Sequence, residues 1–280
     1  MGINAELVRL VADLRQRDFL RGSRVVEIGA QDVCVAPEVI AEILLKHRFA
    51  YEQKNLEGIR ANGLYEILGM SHYSSIDASG ASGSLMFDLN RDLRQDYQFV
   101  ETYDLVTNLG TAEHCFNQHA AFKNMHDLCR PGGLMVHALT AQGNVNHGFY
   151  NYHPRFIADL AAANDYEIVK LAFTVDYRPA LIEYSLEAFK QWDSHDVLLY
   201  AVLRKDADDE FRTPFDGMFL STNKLHGYLS VNDDPLISEF APYLKGGNWE
   251  NTQGFDTPIT SRGVFTRLFW KARSKLRNRA

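Results

Sequence analysis

The 280-residue chain is 46% hydrophobic and 23% charged, the balance of an ordinary globular protein long enough for one large domain or two small ones. A formal charge of −7 and a pI near 5.8 argue against nucleic acid as a main partner, and the longest wholly apolar core run, Leu198 to Leu203, is far short of a membrane span. Three cysteines (Cys34, Cys115, Cys129) with no CxxC provide neither a disulfide framework nor a cysteine metal site; the N-terminus lacks the apolar centre of a signal peptide, so a cytoplasmic setting is expected.

Residues 4–20 carry Leu7, Leu10, Val11, Leu14 and Phe19 at near-helical spacing, which predicts an amphipathic helix ended by Arg21-Gly22-Ser23. The stretch RVVEIGAQDV, Arg24 to Val33, then reads as a short apolar strand carrying Glu27 and broken at Gly29. A buried parallel strand followed by a glycine turn is where an open α/β sheet presents backbone to a ligand. Pro37 opens a second helix to about His47, and a further helical segment ends near Gly69. His72 to Asp77 reads as the second strand. Its Asp77 lies 50 positions after Glu27, where a bare dinucleotide unit places its ribose acid about 20 residues after the glycines. One extra helix fills the difference.

After the flexible ASGASG loop, Leu85 to Leu89 predicts a short third strand ending at Asp88 and Asn90. Tyr103 to Leu109 is a buried strand, broken by Gly110, with Thr111 as the expected cap of a helix from Ala112 to Leu128. Arg130-Pro131-Gly132-Gly133 turns into a strand over Leu134 to Leu139; a helix follows from Pro154 to Ala163, then strands over Tyr166 to Val175 and Val197 to Leu203. This rhythm predicts an α/β protein with a Rossmann-like, seven-stranded, mostly parallel sheet and helices on both faces. Four regions result: an N-terminal helix (1–21), the α/β domain (22–205), an irregular C-terminal extension (206–261) and a tail (262–280). The tail holds seven basic residues, no acid and an apolar face built on Val264, Phe265, Leu268 and Phe269. Such a tail suits peripheral membrane contact, docking on the chain's own acidic core or a partner, or disorder.

Two stretches concentrate chemistry-bearing side chains at the ends of predicted strands. The first, Asn108 to Gln118, holds Glu113, His114 and Asn117; on a continuous helix Glu113 and Asn117 share a face. The second, GNVNHGFYNYH (Gly143 to His153), packs two histidines and three aromatic rings into a connection, with His147 the first choice for a base and Tyr150, Tyr152 and His153 shaping an acceptor pocket. His137, inside a strand, reads as a core histidine. No HxH or HExxH is present, so no metal motif is identified, although His147, His153 and Glu113 together have suitable donors.

Four segments, spanning roughly Gly22 to Arg204, resemble the class I S-adenosylmethionine-dependent methyltransferases: VVEIGAQDV, IDAS, FDLN, and the block DLVTNLGTAEHCFNQHAAFKNMHDLCRPGGLMVHAL, whose strand, EH pair and PGG turn come in the family's order. The resemblance implies S-adenosylmethionine as cofactor, its methionine end held by Glu27, Gly29, Ala30 and Gln31. It further implies the ribose on Asp77, the adenine at Asp88 and Leu89, and Asn108 beside the sulfonium. His114 is the family-type histidine, either catalytic with Glu113 and His147 or a brace for its loop. Gly29 is followed by Ala30, Gln31, Asp32 and Val33 where the family repeats glycine, a departure that either narrows the pocket or leaves the Gln31 amide to serve the cofactor instead. The absent GxGxxG also weakens a third reading, an NAD-dependent sugar-modifying enzyme, which needs a glycine-rich phosphate loop here. The expected activity is O-methylation (less readily N-methylation) of a small-molecule acceptor such as a sugar or secondary metabolite, with self-association left open. The alternative is a methyltransferase-fold binding or scaffold protein that has lost catalysis and is tethered by its basic tail.

Overall fold

A computed structural model describes residues 2–178, 181–183 and 195–221. Its elements are α1 (Ala5–Gln16), β1 (Arg24–Ile28), α2 (Pro37–Lys46), α3 (Ala61–Ile67), β2 (His72–Ile76), α4 (Leu93–Asp96), β3 (Tyr103–Leu109), α5 (Gln118–Leu128), β4 (Cys129–Gln142), α6 (Pro154–Ala163), β5 (Glu167–Val175), β6 (Ile182–Glu183) and β7 (Val197–Arg204). The basic tail and residues 222–261 lie outside the described residues.

The strands pair in the order β2-β1-β3-β4-β7-β5-β6; six have five residues or more and β6 has two. β2, β1, β3 and β4 pair in parallel, whereas β7 runs antiparallel to both β4 and β5, and β6 antiparallel to β5. The sheet is therefore mixed, with its parallel pairs confined to one half. The expected strand at Leu85 to Leu89 is absent: a lone bridge, Ile76 to Leu85, is all that forms. The reason is local. The Phe87 amide turns back onto the Leu85 carbonyl, and the Asp88 carboxylate accepts the Asn90 amide, so two tight turns pull the chain off the sheet edge.

The period-2 alternation of the strands sorts residues into two layers. Val26, Ile28, Val106, Met135 and Leu139 face α5 and α6, while Val25, Leu105, Leu109, Leu134 and Val136 face α1, α2 and α3. Asn4 caps α1 by accepting the Leu7 amide, and Pro37 opens α2 in its tolerated position. Beyond β7 the described part of the extension lies over α5 and α6. The Asp209 carbonyl meets His126, Asn164 pairs with Arg212, and Asp159 of α6 accepts the amides of Gly217 and Phe219.

Two further expectations are corrected. The helix expected over Ala112 to Leu128 is broken: Ala112–His114 form one 3-10 turn, Cys115 is extended, and α5 starts only after Asn117. Asn117, not Thr111, caps it, its side chain accepting the Ala120 amide. Glu113 and Asn117 thus do not share a helix face. The Pro-Gly-Gly segment is not a turn before the strand but a bulge within β4, where pairing with β3 jumps from Cys129 to Leu134. Gly132 takes φ +77 there and donates its amide to Lys205 at the end of β7.

Candidate functional site

β1 leads to β2 on one side of the sheet, and β3 then returns to the other side of β1. This reversal is a topological switch point, and it opens a crevice outside the carboxyl ends of β1 and β3. Gly29 ends β1 there with φ +82, its amide bonded to the Ile76 carbonyl at 2.8 Å. A Cβ on Gly29 would fall 2.3 Å from Thr111 Oγ1, so only glycine lets the loops after β1 and β3 close on each other. The Gln31 amide reaches the same Thr111 oxygen at 3.3 Å.

Asp77 clamps this floor. One carboxylate oxygen accepts the Ala30 amide at 3.1 Å, the other the Ser79 amide and hydroxyl at 2.9 and 2.6 Å. Partial burial opposes ionisation, but these bonds outweigh it and hold Asp77 below its ordinary pKa. Asp88 spends an oxygen on the amide and side chain of Asn90 at 2.9 and 2.8 Å, and Leu89 is buried. Asn90 in turn holds Asn117, which is committed to joining the start of α5 to this turn. Asn108 is fully buried, accepting the Ala112 amide and meeting His137 at 3.3 Å. Burial pushes His137 down to about 4, as suits a neutral core residue. Glu27 is placed differently from the expectation. Strand alternation sends it inward with Val25, toward α3, where its carboxylate accepts the Tyr73 hydroxyl at 2.7 Å and burial raises it to about 7.

Glu113, His114 and His147 converge over β3. Glu113 is fully buried and pushed up to about 7 by that burial. His147 Nε2 lies 3.7 Å from its Oε1, and the His114 ring meets the His147 ring edge-on with centroids 4.8 Å apart. Burial, with His147 nearby, lowers His114. Two loops make this meeting. The Phe149 amide donates to the Glu113 carbonyl at 2.7 Å, and Tyr150 donates its hydroxyl to the Phe116 carbonyl at 3.0 Å. Tyr152 donates to Gln118 Oε1 at 2.6 Å. Both tyrosine hydroxyls are therefore engaged in stitching the loops. His153 occupies the N-cap position of α6, outside the triplet.

The amide-rich composition of the second loop also has a backbone explanation. Gly143, Asn144, Asn146 and Gly148 all have positive φ, a conformation glycine and asparagine tolerate best. Gly148 was not singled out by sequence pattern, and Thr111 only as a helix cap, not as the residue that meets Gly29. An isolated glycine directly after His147 is the only sequence sign of the first: a Cβ there would sit 2.9 Å from the Glu113 carbonyl oxygen. The rim carries exposed rings, Phe116 and Phe149, in edge-on contact at 6.2 Å.

No family model matches the chain, and no curated protein matches it. Among solved structures it is similar to the Burkholderia thailandensis 1,6-didemethyltoxoflavin-N1-methyltransferase bound to 1,6-didemethyltoxoflavin and S-adenosylhomocysteine, at 12% identity and TM-score 0.41 over 71% of this chain and 78% of that one. TehB from Haemophilus influenzae gives 10% and 0.41 over 70% and 62%; the StiE O-MT (residues 961–1257) gives 16% and 0.39 over 79% and 80%. The chain thus spans less than two thirds of TehB.

Proposed function

We propose that this chain is an S-adenosylmethionine-dependent methyltransferase that methylates an oxygen of a small molecule. The observation that carries the reading is the meeting of Glu113, His114 and His147 at the same sheet end as the loop clamped by Asp77. Acceptor activation and cofactor binding would then lie side by side.

The residues present fit the cofactor. Asp77, held ionised, retains one acceptor site suited to a ribose hydroxyl, since each carboxylate oxygen can take two donors and the one that accepts the Ala30 amide has taken only that. Ala30 and Gln31 line the turn after Gly29, and Asp88 sits on the adenine side. When bound, the sulfonium supplies an activated methyl, so the protein's task is alignment and exclusion of water. His147 is the group placed to take the acceptor's proton. Its Nε2 faces Glu113, which leaves Nδ1 as the accepting nitrogen and the carboxylate to stabilise the imidazolium. Phe116 and Phe149 offer apolar faces at the rim for the body of the acceptor.

The close contact of Thr111 with Gly29 favours a second reading, a scaffold with a narrowed crevice. Calorimetric titration with S-adenosylmethionine, S-adenosylhomocysteine and NAD separates the two. Micromolar binding of the first two and none of NAD supports the enzyme; no binding of any overturns it. In the enzyme, His147→Ala lowers turnover and spares cofactor affinity.

A further inference from the structure

Glu113 is enclosed completely, yet neither carboxylate oxygen has a hydrogen-bond partner among the described residues. A buried carboxylate in that state is costly unless positive charge or a proton compensates it. Two imidazoles face it. His147 Nε2 is itself buried without a hydrogen-bond partner among the described residues, and His114 reaches in from the exposed side. One donor atom from each of the three lies within 4.8 Å of the others.

We propose that Glu113, His114 and His147 form a binding site for one divalent transition ion of the zinc type. Donors around a tetrahedral ion with bonds of about 2.0–2.1 Å stand about 3.4 Å apart. The 3.7 Å between Glu113 and His147 is already close to that, and a small rotation of the exposed His114 closes the third side. Two imidazoles and one carboxylate suit zinc, cobalt, nickel or ferrous iron; magnesium and calcium want all-oxygen shells. Three protein ligands leave a coordination position for an outside oxygen, the arrangement of a catalytic rather than a structural site.

The loops hold the ligands in advance of any ion. The Phe149 amide fixes the Glu113 carbonyl at 2.7 Å, and the backbone of Gly148 approaches so closely that a Cβ would lie 3.1 Å from Glu113 Cγ. Gly148 is thus a positioning residue for His147. This site rests on the methyltransferase reading and changes one role within it. With the ion bound, the Nε2 pair of His147 is committed to the ion. An acceptor hydroxyl in the open position gives its proton to solvent and keeps the O–H electron pair as the nucleophile.

The test uses the full chain stripped with chelator and titrated with Co²⁺, followed by its visible ligand-field band. One equivalent should bind, Zn²⁺ should displace it, and millimolar Mg²⁺ should not. Glu113→Gln, His114→Ala and His147→Ala should each weaken binding by more than the roughly 10–100-fold that loss of an outer-shell partner costs. His119→Ala, an exposed histidine outside the cluster, should not. Should Glu113→Gln fail to fold, the exposed His114 decides the matter. No stoichiometric binding, or equal binding in all three variants, overturns the site. S-adenosylmethionine titration of the stripped chain reads the other proposal separately. A chain that binds the cofactor but takes up no metal sinks only the metal site, and one that takes up metal but binds no cofactor sinks only the methyltransferase.

Discussion

Glu27→Gln should make the protein more stable at alkaline pH, although it replaces a charge in the first sequence motif. Burial raises this carboxyl from 4.5 to about 7 in the folded state. A group with a raised folded pKa binds its proton more tightly when folded. Its protonation therefore stabilises fully below 4.5, and that contribution is lost as pH climbs through about 7. At 1.36 kcal/mol per decade the interval corresponds to about 3 kcal/mol. Glutamine keeps the shape and an oxygen for the 2.7 Å Tyr73 bond, but sets a buried NH2 where an acceptor oxygen stood, at about 1 kcal/mol. The variant should be slightly weaker than the parent near pH 5 and about 2 kcal/mol stronger at pH 8.5. Urea unfolding at both pH values measures this, the parent serving to subtract other titrating groups such as Asp159. A difference independent of pH would refute the reasoning. Because Glu27 faces α3 inside the core, cofactor affinity should be unchanged.

Three further outcomes follow from the geometry. Gly148→Ala meets a φ of +72, about 1–2 kcal/mol, and a 2.9 Å contact with the Glu113 carbonyl, about 1–3 more; thermal unfolding should register the loss, and a change below about 0.5 kcal/mol would show that the loops do not approach so closely. Gly29→Ala should destabilise similarly through Thr111, and Thr111→Ala added to it should recover the overlap part; strict additivity of the two would sink the contact. Asp159→Ala removes two bonds, at 3.0 Å from Gly217 and 2.9 Å from Phe219. Their amides should exchange faster by hydrogen exchange, with a stability cost of about 1–3 kcal/mol, whereas unchanged protection would mean that this segment is held by other means.

The strands, their apolar faces and the paired ligand-side loops were legible because burial on a sheet leaves a period-2 or continuous apolar pattern, as in Tyr103–Leu109 and Val197–Arg204. Strand direction was not, since an antiparallel β7 carries the same apolar run as a parallel strand. The third strand was misread because LMFDL has strand composition, yet its edge position and the turns at Phe87 and Asp88 outweigh propensity. The helix from Ala112 was misread because alternative caps compete, and Asn117 prevails over Thr111.

Sequence by itself determined that Gly29, Glu113 and His147 come after strands, since each follows a recognisable apolar run, and that Asp77 closes the mixed run HYSSI. It also assigned the tail its charge. Only tertiary structure decided which of them meet. Glu27 and Gly29 are two apart, which alternation alone would put on one face, yet Glu27 is buried within β1 while Gly29, past its end with φ +82, turns to the crevice. Glu113 and His147 are 34 positions apart, yet a glycine without a Cβ lets their loops touch. A ligand set drawn from two loops has no fixed spacing to read, because the distance between its members is fixed by sheet order and loop closure rather than by the chain between them.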